Sequence, residues 1–500
     1  MMLHAHREYA STELSIDVDK TRCAPWMHPS LILPWIMLEH FRKLCCVCPN
    51  YLILYCNFVG GRESFMRAVG DKQRETIRPE FDRSISIDFQ GAKITSDTGF
   101  LLMREIDQRF NILCGAASQI DDPRSPRHTD HSLLQLLRQR VYQVAAGYED
   151  CNDADHLRVD PALRLALGKE HESGAGQSAL SRFENNILST GEGLKALENA
   201  LSRSADTLLR RRNKRRLIID VDSTEDPVHG KQEGAAFNGY FEQVCYHPLF
   251  CFTGNGDLLG ARLRPGNAHS ADGVLELISP LVDRYRSWFK QFWLRGDAAF
   301  ASPDLYEFCE AKRITYFIRL PSNNSLKKLI QPHLKRPTGR PPKSGVQIRV
   351  IEFPYQAEKW NKPRRIVCKI EWHVGELFPR VGFIVTNSNM EAQRLITVYN
   401  GRAEIENRIK EGKNTLRWDK TSCHRFAANQ ARLLVGCLAY NLLHMIRDTA
   451  FWGQSVRPSI DSIIRRIVKV GARVVYHARR WHVHVATAFP LARYYRILFA

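Results

Sequence analysis

LIIDVD (residues 217–222) sets aliphatic residues around two aspartates spaced two apart, the pattern of a β-strand with both carboxylates on one face. Downstream, YHPLFCFT (246–253) and LLGARLRPGN (258–267) read as two further strands, joined across the turn Gly254-Asn255-Gly256-Asp257. ADGVLELISPLVDRYRSW (271–288) repeats apolar residues at helical spacing. QFWLRGDAAF (291–300) is a fourth strand, PDLYEFCEAKR (303–313) a helix and TYFIRL (315–320) a fifth strand.

Three meandering strands followed by helix, strand, helix, strand is the order of a ribonuclease-H-like α/β sheet, with parallel pairing and right-handed crossovers in its second half. On either side of this core the patterning changes. LLMREIDQRF (101–110) and SLLQLLRQRVYQVAAGYE (132–149) are helical, so 76–212 reads as a mainly helical DNA-binding region. Its QSALSRFENNI (177–187) offers Ser178 as an N-cap and Arg182 on a short helix, either a groove-reading element or a plain surface helix. The aspartates at 150, 153, 155 and 160 lack the spacing of a calcium loop and suit caps and turns. The basic run Arg210–Arg216 is either a solvated connector or a phosphate-facing strip.

The first part of the core spans 213–325. LKRPTGRPPKSG (334–345) is an exposed loop by composition, and three strand-like runs follow it, giving a β-rich insertion over 326–388. The second part of the core spans 389–450, and 451–500 is a basic helical region with nine Lys or Arg against one Asp. Residues 1–75 mix Cys, Trp and Pro with short apolar bursts; they read as an extension outside the working protein, with Met66 as an internal start.

VYNGRAEIENRIKEGK (398–413) carries Tyr399, Arg402, Glu406 and Lys413 at intervals of three, four and seven, one stripe of a single helix. Alone, this is equally a solvated face of intrahelical ion pairs. The core order changes the weighing. The first and fourth strands are neighbours in such a sheet, so Asp222 would meet Asp297, and the Glu406 helix could pack beside them. Asp222, Asp297 and Glu406 would then be the catalytic and metal-binding residues. Three converging carboxylates suit two divalent ions about 4 Å apart, which serve phosphoryl transfer, and all-oxygen ligands favour Mg²⁺ or Mn²⁺. Arg402 and Lys413 would meet the DNA backbone, and Tyr399 would contact or stack on DNA. Trp360 and Trp372 in the insertion are candidates for holding a flipped base.

A net charge of +19 over 500 residues favours a polyanionic partner, nucleic acid first. Thirteen irregularly spaced cysteines argue for reduced thiols in the cytoplasm, and the CxxC at Cys45–Cys48 has no second ligand pair to complete a zinc site. The apolar run Leu31–Leu38 is too short for a membrane span, and no membrane partner is expected.

The sequence resembles the DDE transposases of bacterial insertion sequences, in the branch with the Y-x2-R-x3-E-x6-K signature and within it the IS-thirteen-eighty group. The signature is met by Tyr399, Arg402, Glu406 and Lys413. GYEDCNDADHLRVDP, LSRFEN, DVDSTEDPVHG, LRPGNAHSADG, LRGDAAFA and SCHRFAANQ carry the rest, over roughly residues 80 to 500. The resemblance implies Asp222 as first acid, Asp297 as second, Glu406 as third in preference to Glu404 and Glu411, and a supporting role for Asp220. It implies cut-and-paste transposition: binding of terminal inverted repeats, strand cleavage, and transfer of the freed 3′-hydroxyl into target DNA. It also implies a homodimer on double-stranded DNA in a bacterial cytoplasm, nucleoid-associated when bound. A hydrolysis-only ribonuclease-H-like nuclease and a catalytically silent DNA-binding regulator are the alternatives.

Overall fold

Eight strands build the central sheet. They are β1 (Arg216–Ser223), β2 (Leu249–Thr253), β3 (Leu258–Arg262), β4 (Gln291–Gly296), β5 (Thr315–Leu320), β6 (Val346–Tyr355), β7 (Arg364–His373) and β8 (Arg380–Thr386). Across the sheet the order is β6-β7-β8-β5-β4-β1-β2-β3. β1 runs parallel to β4, and β4 to β5, whereas β1-β2-β3 is an antiparallel meander. This is the mixed α/β arrangement that the element order predicted. The computed structural model describes residues 78–82, 84, 86, 87, 92–169, 172–212, 215–339 and 345–500, and 92–500 form one compact body. The expectations for 1–75, including the Cys45–Cys48 motif and an internal start, lie outside the described residues, as does part of the 334–345 loop.

The β2–β3 turn forms because Gly256, at φ +88°, supplies a left-handed residue, and Thr253 N–H donates to the Asp257 carbonyl at 2.8 Å. One face of β1 sends Leu217, Ile219 and Val221 into an apolar core shared with helices Val274–Tyr285 and Pro303–Ala311. The other face presents Ile218, Asp220 and Asp222, on the side where helix Ala392–Asn400 and helix Ala403–Leu416 lie.

The helical regions before and after the core share a single interior. Helix Phe426–Ala450, buried along nearly its whole length, packs against helices Leu133–Ala145 and Gly191–Arg210 and against β3. Ser132 and Gln135 close a capping box at the start of Leu133–Ala145, and Asp150 and Asp160 cap short helices as the sequence suggested. None of the described helices is long and apolar enough to cross a membrane.

The strands of the β-rich insertion, β6–β8, continue the central sheet through antiparallel pairing of β8 with β5. Several expectations are corrected. The 451–500 region is not wholly helical. Strands Ala472–His477 and Arg480–Val485 form a hairpin between helical segments, because VVYH and WHVHV alternate with period two. The 177–187 helix starts at Gln177 behind Gly176, so Ser178 is not its cap, and it passes into a π-turn after the exposed Arg182. In the basic run, Arg210, Arg211 and Arg215 are exposed, whereas Arg212 pairs with Asp257 and Asp448 and the Arg216 guanidinium lies 3.4 Å from the centre of the Trp293 ring. Trp360 and Trp372 are 7% and 3% exposed and belong to the core on the β1–β7 face, so neither presents a ring to a base.

Candidate active site

Strand register brings the acids together. Asp220 of β1 sits opposite Arg295 of β4, and continuing that parallel register by two residues places Asp222 level with Asp297, just past the end of β4. Asp222 accepts the Ser223 N–H on Oδ1 at 3.0 Å, and its Oδ2 meets the Arg402 guanidinium. Asp297 caps the short helix Ala298–Phe300, accepting the Ala299 N–H on Oδ1 at 3.0 Å, and its Oδ2 is free of that turn.

The third carboxylate arrives by a route the spacing did not reveal. Tyr399 ends helix Ala392–Asn400, Gly401 and Arg402 form a turn, and Glu406 and Lys413 lie on a second helix, Ala403–Leu416. The quartet therefore straddles two helices and not one. A Cβ at Gly401 would collide with the Arg295 guanidinium, which donates to the Val398 carbonyl at 2.7 Å and to both oxygens of Asp220 at 2.6 and 2.7 Å. Arg295 thus clamps the end of the Tyr399 helix onto β1. Sequence reasoning missed it, although its place two residues before Asp297, opposite an inward-facing aspartate, was a readable signal. Asp220 is bound up in this clamp and stands apart from the other three acids.

Arg402 occupies the centre. One guanidinium nitrogen lies 2.9 Å from Asp222 Oδ2 and 3.6 Å from Asp297 Oδ2, and the other lies 3.0 Å from Glu406 Oε1. The side chain is 9% exposed, and its Nε is buried without a hydrogen-bond partner. The residue expected to face DNA is instead turned inward. Lys413 is also engaged: its ammonium donates to Glu225 Oε1 at 2.7 Å and to the Glu225 carbonyl at 2.8 Å. Tyr399 is half-buried against the sheet, with Asp297, Arg402 and Arg319 as its charged neighbours.

Burial pushes the Asp222 carboxyl up to about 7, against the pull of Arg402, with Asp297 and Glu406 adding to the rise. One guanidinium among three carboxylates leaves a site that is acidic, oxygen-only and open on the side of Asp297 and Glu406, whose side chains are 37% and 51% exposed. This donor chemistry fits Mg²⁺ or Mn²⁺. Among the described residues no three His, Cys, Asp or Glu side chains stand ready-made as a metal set, and the Arg402 guanidinium lies among these acids. The structure thus gathers a buried, a half-buried and an exposed acid from distant segments at the end of a parallel strand pair.

Comparison with known proteins bears on this site. No curated protein matches the chain. Among solved structures, a piggyBac transposase in a synaptic complex with hairpin DNA aligns with a TM-score of 0.39 and 11% identity, over 75% of this chain and 81% of that chain. The model of the family described as transposase DDE domain group 1 matches residues 77–500, which take in the whole sheet and all three acids. The chain therefore belongs to that family of DDE transposases.

Proposed function

We propose that this transposase cuts and rejoins DNA by metal-assisted phosphoryl transfer, as a cut-and-paste enzyme of the YREK-signature branch acting on the inverted repeats of its own element. The observation that carries the reading is the convergence of Asp222, Asp297 and Glu406 on one guanidinium at the open end of β1 and β4. These three carboxylates would hold the divalent ion, which when bound activates the attacking water or 3′-hydroxyl and stabilises the leaving oxygen. The ribonuclease-H-like order of β1–β5 supports the same reading.

The chain's own residues do the positioning. Asp297 is fixed by its N-cap and Asp222 by Ser223, so each offers one oxygen from a rigid strand end. The Asp220–Arg295 clamp sets the helix junction that delivers Glu406. Arg402 and Lys413, with Tyr399, would hold the DNA backbone, Arg402 by exchanging carboxylate partners for a phosphate of like geometry. The helical layer of 92–212 with Arg182 and the basic C-terminal region would carry the duplex, and two protomers would hold two ends together.

Asp297→Asn tests the assignment. With Mg²⁺ and a repeat-ended duplex, cleavage should fall by at least about a thousandfold while duplex binding persists. Unmutated protein that never nicks repeat ends would favour a silent regulator. Nicking without joining of a 3′-hydroxyl end to a second duplex would favour a hydrolysis-only nuclease.

A further inference from the structure

The hairpin Ala472–Val485 has two unlike faces. Towards the body it sends Ala472 and Val474, both buried, and Trp481, over whose ring the Lys93 ammonium lies 5.8 Å from the centre. The short strand Ile94–Thr95 pairs with its first strand and anchors it. On the outward face the cross-strand pairs are Arg473 with His484, Val475 with His482, and His477 with Arg480. All five polar members are exposed, and the His482 and His484 rings stack at 5.9 Å. Among the described residues, Arg473, Arg479 and Arg480 have no ion-pair partner, and there is no Asp or Glu after Asp461.

The tip is strained. Ala478 and Arg479 both sit at positive φ, +50° and +60°, a two-residue turn that normally takes Asn and Gly. Neither residue relieves the strain with a side-chain contact, and strain of this kind collects at functional sites. What the turn achieves is projection of Arg479 beyond the end of the ribbon, next to Arg480.

We infer that the outward face of the hairpin 472–485 is a duplex-DNA contact, seated in a major groove with Arg473, Arg479 and Arg480 on the flanking phosphates. A two-stranded ribbon is the width that groove admits. Unpaired arginines without neighbouring acids suit phosphate, and His477, His482 and His484 offer ring nitrogens to base edges. The inference deepens the transposase reading by giving the DNA partner a second, non-catalytic foothold.

The test is duplex binding by full-length protein, read by fluorescence anisotropy on a random-sequence duplex of roughly 40 base pairs across a KCl series. The triple variant Arg473→Ala/Arg479→Ala/Arg480→Ala should flatten the slope of log affinity against log salt by about 2–3 and weaken binding roughly tenfold or more near 0.1 M salt. Arg479→Ala alone, at an exposed tip, should flatten it by about 1, and the triple Lys variant should restore most of the slope. A wild-type slope in Arg479→Ala and the triple variant overturns the inference. So does an equal loss on a single strand of the same length, which has no groove. A hairpin effect without any nicking in unmutated protein would sink the catalytic reading and leave this one standing.

Discussion

Arg402 is buried, multiply paired and left with one unsatisfied nitrogen, an arrangement that stabilises the acids around it more than it stabilises itself. Asp222 is 10% exposed, so removing its partner leaves a carboxylate that must either protonate or carry an uncompensated charge. Arg402→Ala should therefore destabilise the metal-free protein by about 3 kcal/mol in urea unfolding, as loss of one member of a buried pair does. Added Mn²⁺ should recover more stability in this variant than it adds to the wild type, because the cation replaces the missing guanidinium. Equal stabilisation of both proteins by Mn²⁺ would show that Arg402 and the ion do not share the acids. A plain charge-neutral surface residue would produce neither effect.

At the scale of elements, the junction at Gly401 decides where Glu406 points. Gly401→Ala must push either Arg295 or the turn aside, costing roughly 1–3 kcal/mol from overpacking. It should also lower cleavage by about tenfold or more with little change in duplex affinity, since a shift of about 1 Å at a reacting group is felt that strongly. Unchanged cleavage would mean the two helices adjust independently of the clamp. The junction also marks where sequence reading stops. Strands β1–β5 were legible because their two-residue period and the Gly-Asn-Gly-Asp turn are local. The meeting of Asp222 with Asp297 was legible because strand register is nearly local, whereas the choice of Glu406 over Glu404 and Glu411 came from the family resemblance and not from helix spacing. The break at Gly401 was not legible, since intervals of three and four persist across a two-residue turn packed against the Arg295 side chain. The burial of Trp360 and Trp372, and the folding-in of Arg212 against Asp257 and Asp448, depend on partners tens to hundreds of residues away. The 472–485 hairpin hid behind its histidines and arginines, which mask a strand period as ordinary basic composition.

For the molecule as a whole, one buried acid ties the site region to the helical layer. Asp226, 1% exposed, accepts the Thr421 hydroxyl at 2.7 Å just ahead of the long central helix. Burial pushes its carboxyl up to about 7, with Asp419 adding to the rise. The unfolded chain would titrate near the ordinary aspartate value of about 4. Between those values the folded state binds a proton that the unfolded state has released, so this stabilising contribution is full below about pH 4 and is lost as pH rises through about 7. Asp226→Asn removes the titration. Urea unfolding should show the variant gaining on the wild type between pH 5 and pH 8, and a pH-independent gap between them would refute the assignment. A last consequence follows from where the three acids lie along the chain. Asp222 and Asp297 leave the ribosome well before Glu406, with the whole of β5–β8 made in between. At roughly 5–20 residues per second, a nascent chain spends several seconds holding two of the three acids proposed to cleave DNA. The final acid is then delivered by the segment that carries Arg402, four residues ahead of it. Under the proposed assignment, competence and its counter-ion would arrive together, and an interrupted translation product would lack the third acid.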